Sequence, residues 1–339
     1  MAKVRVTLLG CGGFMGQHVN RLRKRPDVEI VGLCDVTQEQ LDKFTKRHWG
    51  NDGQPATPPP TFTDRAKMYA KTKPDAVFVA TPHTLHYEHA VEALAAGCHV
   101  YMEKPMVTKS ADAYALAEHV KKAGKILVVG YNTSCSPRFA YLRDVIRSGE
   151  LGKLEMVSGY LTQDWRRFTK GSWRQKPELS GGGQAYDSGA HLLNSLCWTV
   201  DSPIAEVSAF VDNLDTPVDI NSVINVRFTN GVLAAILVSG NSPGAGTHTV
   251  FVFDGGRVEV DGWGAHWMRV YKGDGKGGDK QIEVELPQEQ MTPDDNFLDA
   301  IQGKAKPRTS PQHGIIHTEL MDAIYESART GKPAKPKRK

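Results

Sequence analysis

Asp187 and His191 stand four residues apart in the run Asp187-Ser188-Gly189-Ala190-His191, a spacing that places a carboxylate and an imidazole on one face of a helix. The small residues between them leave room for a ligand. An imidazole titrating near neutrality suits a general base for a hydroxyl proton, and the carboxylate can orient it and hold a neighbouring hydroxyl. Lys104, in Glu103-Lys104-Pro105, can bind the same oxygen and stabilise the negative charge developing there. Taken singly, such a lysine reads as a surface cation and such an Asp/His pair as a structural hydrogen bond. Two clusters from different halves of the chain are more informative than either one.

A third feature is the turn Gly10-Cys11-Gly12-Gly13-Phe14-Met15-Gly16. Between a strand and a helix, missing side chains let a pyrophosphate approach backbone amides at a positive helix end. In the standard spacing the third glycine would fall at Met15, so this loop reads as one residue longer, with Gly16 packing the helix; a plain loop is the alternative. Asp35 ends the next strand, where a carboxylate can accept both ribose hydroxyls of an adenosine. Val36, Thr37 and Gln38 offer no cation for a 2′-phosphate, which favours NAD over NADP. Gly10, Gly12, Gly13, Phe14, Met15 and Asp35 are therefore the candidate dinucleotide-binding residues of this segment.

Positioning these groups calls for a sheet whose strands end together. Strand-like runs at 4–9, 28–34, 75–80, 98–102 and 126–129 alternate with helix signals and short links, the pattern of a parallel sheet covered by helices. Such a sheet puts the glycine turn and Lys104 on one carboxyl edge. Thr37 and Gln40 predict a capping box at the start of the second helix, and the proline-rich stretch 54–60 reads as a surface loop. From 204 to 286, alternating strands meet at Asn230-Gly231 and Asp254-Gly255-Gly256, which carry the chemistry of short hairpin loops. The expected fold class is α/β plus α+β. An N-terminal Rossmann, doubly wound parallel sheet spans 1–130. A domain on a large, mostly antiparallel open sheet spans 131–331, its last helices packing back on the first domain, and a basic disordered tail spans 332–339.

Composition agrees with two globular domains: 339 residues, 40% of them hydrophobic, with no apolar run near the roughly 18 to 20 residues of a membrane-spanning helix. The net charge of +4 comes from Lys332, Lys335, Lys337, Arg338 and Lys339, so the near-neutral body lacks the basic face that nucleic acid requires. Five cysteines without a Cys-x-x-Cys pair fit reduced thiols and a cytoplasmic protein. His83, His86 and His89 lack a carboxylate or thiolate cluster to complete a coordination shell, so no metal is expected.

In order along the chain stand the glycine turn, Ala80-Thr81-Pro82-His83-Thr84-Leu85-His86, Glu103-Lys104-Pro105, Val129-Gly130-Tyr131-Asn132 and Gly182-Gly183 followed by Asp187 and His191. Asn296-Phe297 and Asp322-Ala323-Ile324-Tyr325 close the set. Over nearly its whole length the sequence resembles the glucose-fructose oxidoreductase / inositol dehydrogenase / MocA (Gfo/Idh/MocA) oxidoreductases. The resemblance implies a catalytic trio of Lys104, Asp187 and His191. It also implies cofactor neighbours at Thr81, Pro82, His86, Glu103, Lys104, Asn132, Trp173 and Arg174. Tyr131, Arg166 and Trp173 join the trio as expected substrate contacts, since aromatic faces and guanidinium groups suit a sugar; a solvated or interface segment is the alternative for Trp165-Arg166-Arg167-Phe168. Ser134 and Asn194 stand where many members carry Arg and Asp.

The activity implied is hydride transfer between nicotinamide and a secondary hydroxyl of a sugar, cyclitol or related polyol. Some relatives instead oxidise, eliminate and return the hydride, a redox-neutral glycosidase chemistry; a dinucleotide-binding regulator without turnover is the third reading. The strands of the second sheet outnumber the helices left to cover them, so one face is a ready interface. The resemblance implies homodimers or homotetramers built on that sheet.

Overall fold

The computed structural model describes residues 3–50, 57–287 and 291–338. Positions 54–56 of the proline-rich stretch lie outside the described residues. The first sheet is built from β1 (Val4–Leu9), β2 (Val28–Cys34), β3 (Thr61–Phe62), β4 (Ala76–Val79), β5 (His99–Met102) and β6 (Leu127–Val129). Their order is β3-β2-β1-β4-β5-β6, every pair parallel. All four residues of β4 are buried, as a strand with helices on both faces requires. The chain winds outward from β1 to β3, then returns to place β4 against the other side of β1. The carboxyl ends of β1 and β4 thus flank the switch point where open α/β sheets bind ligands.

β3 is absent from the sequence reading. Two residues carry no periodicity, and its place is set by backbone bonds from neighbours: Leu33 N–H donates to Pro60 O at 3.0 Å and Asp35 N–H to Phe62 O at 3.2 Å.

The second sheet has eight strands: β7 (Leu154–Thr162), β8 (Ile204–Asp212), β9 (Asn221–Phe228), β10 (Leu233–Ser239), β11 (Gly246–Phe253), β12 (Gly256–Val260), β13 (Met268–Gly273) and β14 (Asp279–Ile282). Their order is β14-β13-β12-β11-β7-β10-β9-β8. β7 and β10 run parallel and the other described pairs antiparallel. Period-two alternation sends Val157, Leu161, Ile224, Val226, Ile236, Val238 and Phe251 into the core. There they meet the helix Gly189–Val200, buried at every residue. The opposite face leaves Met156, Tyr160, Val223, Leu233 and Leu237 exposed.

Two closing helices reach the first sheet. From Pro293–Ile301, Phe297 packs edge-on against Phe78 at 5.5 Å and Tyr101 at 5.7 Å. From Pro311–Thr330, Asp322 accepts from Ser110 N–H at 2.9 Å and Glu319 from the Tyr114 hydroxyl. The basic tail departs from the sequence expectation of disorder. Ala334 and Val207 exchange backbone bonds at 2.8 Å, and Arg338 donates to Ile204 O. β8 is an outer strand of the sheet, and its unpaired backbone groups give the tail something to bond.

Candidate active site

The glycine turn sits at the switch point. Gly10 has φ +89°, and a Cβ there would lie 2.7 Å from Ala80 O, so only glycine fits between β1 and β4. A Cβ at Gly12 or Gly13 would meet nothing within 4 Å. That open side is the room a pyrophosphate needs against backbone amides, and the turn fits the group. Gly16 lets the following helix, Met15–Leu22, close on Gln38–Trp49: a Cβ would be 2.8 Å from the His48 ring. Phe14 precedes the helix half exposed, whereas Met15 buries its side chain in the core, so only its backbone stands at the turn.

Asp35 accepts the Cys11 N–H at 2.7 Å with one oxygen and the Val36 N–H at 2.7 Å with the other, holding the turn against the end of β2. The expected capping box is only half formed. Thr37 accepts from Gln40 N–H at 3.2 Å, but the Gln40 side chain donates to Cys11 O. The side chain that would have closed the box fastens the glycine turn instead.

Lys104, just beyond β5 on the same carboxyl edge, donates to Asp187 O at 3.0 Å and Asp187 Oδ1 at 2.9 Å. Asp187 is buried, and its Oδ2 accepts from Trp165 Nε1 at 2.8 Å and Arg174 Nε at 2.9 Å. Burial alone would raise this carboxyl, but Lys104 and then Arg174 hold it well below the usual carboxylate range. Asp187 is therefore the carboxylate partner of Lys104.

Three sequence expectations need correction here. Asp187 does not share a helix face with His191, because the helix starts at Gly189; Asp187 lies in the preceding turn, its N–H bonded to Gly183 O at 3.0 Å. Nor does it orient the imidazole, since its oxygens are taken by Lys104, Trp165 and Arg174. His191 is buried and stacks on Trp263, ring centroids 5.1 Å apart and planes 21° apart. It also does not titrate near neutrality: burial, reinforced by the Lys104 charge, pushes the imidazole well below its ordinary value. Burial and Lys104 thus favour the neutral ring.

Trp173 and Arg174 join this cluster. Arg174 lies over the Trp173 ring at 4.6 Å, and Trp173 meets His83 edge-on at 4.8 Å. Asn132 is exposed, and Thr81 pairs its hydroxyl with His89 Nδ1 at 2.9 Å, with Pro82 following it. His86 is a spacer: fully buried, it faces Pro105 O at 2.7 Å and Thr81 O at 2.9 Å, tying together two loops of the cleft. Tyr131 is also fully buried, packed against His317 at 5.5 Å. Arg166 departs from the cluster, donating to Asp215 and Asn241 instead. Trp165, read as a possible sugar contact, is fully buried beneath Asp187.

Trp263 and His18 were missed. A Trp between Gly262 and Gly264 in a hairpin region marks a turn that can aim a ring, a signal available in retrospect. His18 had none, being one His on the buried face of a helix. The five cysteines are free and buried. Among the described residues no group of three His, Cys, Asp or Glu side chains is placed to hold a metal, and no helix is long and apolar enough to cross a membrane.

Both halves of the chain match family descriptions drawn from known proteins. Residues 4–131 match the description "Oxidoreductase family, NAD-binding Rossmann fold", and residues 139–262 match the "GFO/IDH/MocA C-terminal domain". D-glucoside 3-dehydrogenase of Escherichia coli (strain K12) is 25% identical, across 97% of this chain and 96% of its own. A scyllo-inositol 2-dehydrogenase (NADP(+)) of Bacillus subtilis is 29% identical across 75% of this chain and 76% of its own. The WlbA dehydrogenase of Bordetella pertussis, solved with NADH and UDP-GlcNAcA, superposes with a TM-score of 0.85 at 25% identity, over 100% of this chain and 99% of that one. With both halves matched and the whole fold shared, the chain belongs to the Gfo/Idh/MocA family of oxidoreductases.

Proposed function

We propose that the protein is an NAD-dependent dehydrogenase that oxidises a secondary hydroxyl of a sugar, cyclitol or related polyol. The observation that carries this reading is the Lys104 ammonium, clamped by Asp187 on the edge that bears the glycine turn, within electrostatic reach of a neutral His191. Gly10, Gly12, Gly13, Phe14 and Asp35 would hold the dinucleotide. Bound NAD supplies a hydride acceptor at its nicotinamide ring. Lys104 binds the substrate oxygen and stabilises its developing charge, His191 takes the hydroxyl proton, and Asp187 holds Lys104 aimed. The names of the glucoside and inositol dehydrogenases support a polyhydroxylated substrate.

Asp35 favours NAD over NADP, because a carboxylate at the ribose repels a 2′-phosphate. Titration of the purified protein is expected to show tighter binding of NAD, and Asp35→Ala to weaken NAD and narrow the preference. Tighter NADP binding by the unaltered chain would remove the argument. A panel of sugars, cyclitols and glycosides followed for both NADH and released aglycone tests the reaction. Net NADH is expected; aglycone without NADH overturns the dehydrogenase reading.

Buried free thiols fit the reducing cytoplasm. We also infer a homodimer or homotetramer through the outer face of the eight-stranded sheet, where Met156, Tyr160, Phe210, Val223, Leu233 and Leu237 are exposed on adjacent strands. Isolated exposed apolar residues are ordinary, but a contiguous set marks an interface. Light scattering at micromolar concentration is expected to give a multiple of the chain mass, reduced by Leu237→Lys. A monomer throughout would refute the assembly.

A further inference from the structure

His18 has no part in the chemistry above, yet its ring is fully buried with a carboxylate against each nitrogen. It lies on the Met15–Leu22 helix that follows the glycine turn. Nδ1 is 2.6 Å from Asp294 Oδ1 and Nε2 is 3.2 Å from Glu103 Oε1. Ionised carboxylates only accept, so the ring bonds both by donating from both nitrogens. Burial alone would strip the extra proton, but Asp294 and then Glu103 reverse that effect and raise the imidazole to about 9. Arg21, one turn further on, donates to the second oxygen of Asp294 at 2.8 Å. Two cations and two carboxylates therefore balance within one cluster. Phe14, Phe78 and Tyr101 crowd the ring at 5.4, 5.4 and 5.0 Å, which leaves it one orientation.

The cluster joins three distant stretches of chain. Asp294 comes from the Pro293–Ile301 helix, 276 residues from His18. Glu103 immediately precedes Lys104 and accepts its backbone N–H at 3.2 Å. Gly130 makes the space: a Cβ there would lie 2.8 Å from Glu103 Oε1 and 2.6 Å from the Tyr101 hydroxyl. The Glu103 carboxylate thus has one seat, shared between His18 and the Lys104 backbone.

We propose that His18 is a positioning residue for hydride transfer: by bonding Asp294 and Glu103 together it fixes the Lys104 turn relative to the pyrophosphate helix, so that Asp294 governs turnover without touching substrate. The effect on turnover rests on the dehydrogenase reading; the geometry it describes does not. Removing one member leaves buried charges uncompensated and the turn free to shift. A displacement of about 1 Å between reacting groups costs up to roughly 10²-fold in rate.

The test compares the full-length chain with His18→Gln and Asp294→Asn. Melting temperature, NADH affinity, the emission of bound NADH, and kcat and KM for an alcohol from the panel are measured on the same preparations. Both variants are expected to bind NADH but to shift its emission, and to lose roughly 10- to 100-fold in kcat with KM little changed. A merely structural role lowers melting temperature and moves neither emission nor kcat of the folded fraction; that result overturns the proposal. Should neither variant fold, the unaltered chain decides: nitrogen-15 spectra at neutral pH must show hydrogen on both nitrogens of His18, and a neutral ring refutes the bridge. If the unaltered chain oxidises no alcohol, the dehydrogenase reading fails separately, and the NADH emission still decides the positioning role.

Discussion

His191→Ala is expected to lower turnover by roughly 10²- to 10⁴-fold, the usual worth of a general acid or base, while NAD affinity stays near normal. Lys104→Ala should lose at least as much, because the substrate oxygen loses the cation that binds it. The His191 ring packs on Trp263 and not on the glycine turn, so its loss leaves the dinucleotide cradle intact. A purely structural His191 would show itself as a lower melting temperature with turnover per folded molecule unchanged. The pH profile adds a second check with a definite sign. A base acts in its neutral form, and this imidazole is pushed well below its ordinary value by burial and Lys104. The acid limb of kcat/KM for alcohol oxidation should therefore lie below the ordinary imidazole range of about 6.5. A limb at or above that range assigned to His191 would sink its role as described.

Asp187→Ala is expected to be the most destabilising of the site substitutions, costing about 3 to 5 kcal/mol in denaturant unfolding. It strands the Lys104 ammonium, the Arg174 guanidinium and the Trp165 N–H, all donors that converge on this carboxylate. Lys104→Ala made in the same background should cost less than it does alone, because the stranded cation is then gone. Equal costs in both backgrounds would show that the pair is not coupled in the way the distances indicate.

The parallel sheet was legible because its strands are short apolar runs between glycine and proline punctuation, and β4, buried on both faces, is the clearest of them. β3 was not, since two residues held by Pro60 and Phe62 carbonyls have no pattern to read. Asp187 and His191 were found as a pair by spacing, but spacing assumed a helix that begins two residues after Asp187. The partners of Asp187 come from residues 104, 165 and 174, and no local pattern announces that convergence. Burial is equally invisible in sequence: it decides that Arg166 turns outward, that Trp165 lies under the carboxylate and that the His191 ring is neutral. The tail read as disordered because five basic residues among prolines look solvated, whereas the outer edge of β8 supplies the backbone partners that composition cannot reveal.

The two closing helices bear on how the chain is made. A ribosome releases the N-terminal half first, so the parallel sheet emerges while its lid is still unsynthesised. Phe78 and Tyr101 wait for Phe297, and His18 waits 276 residues for Asp294. Contacts of such long sequence separation form late, and surface left open in the meantime invites aggregation. The half that carries the glycine turn is therefore not a finished unit when its own strands are complete; a nascent chain stalled before residue 293 keeps an apolar seam uncovered and leaves His18 without Asp294. Its maturation waits for the two closing helices to be made.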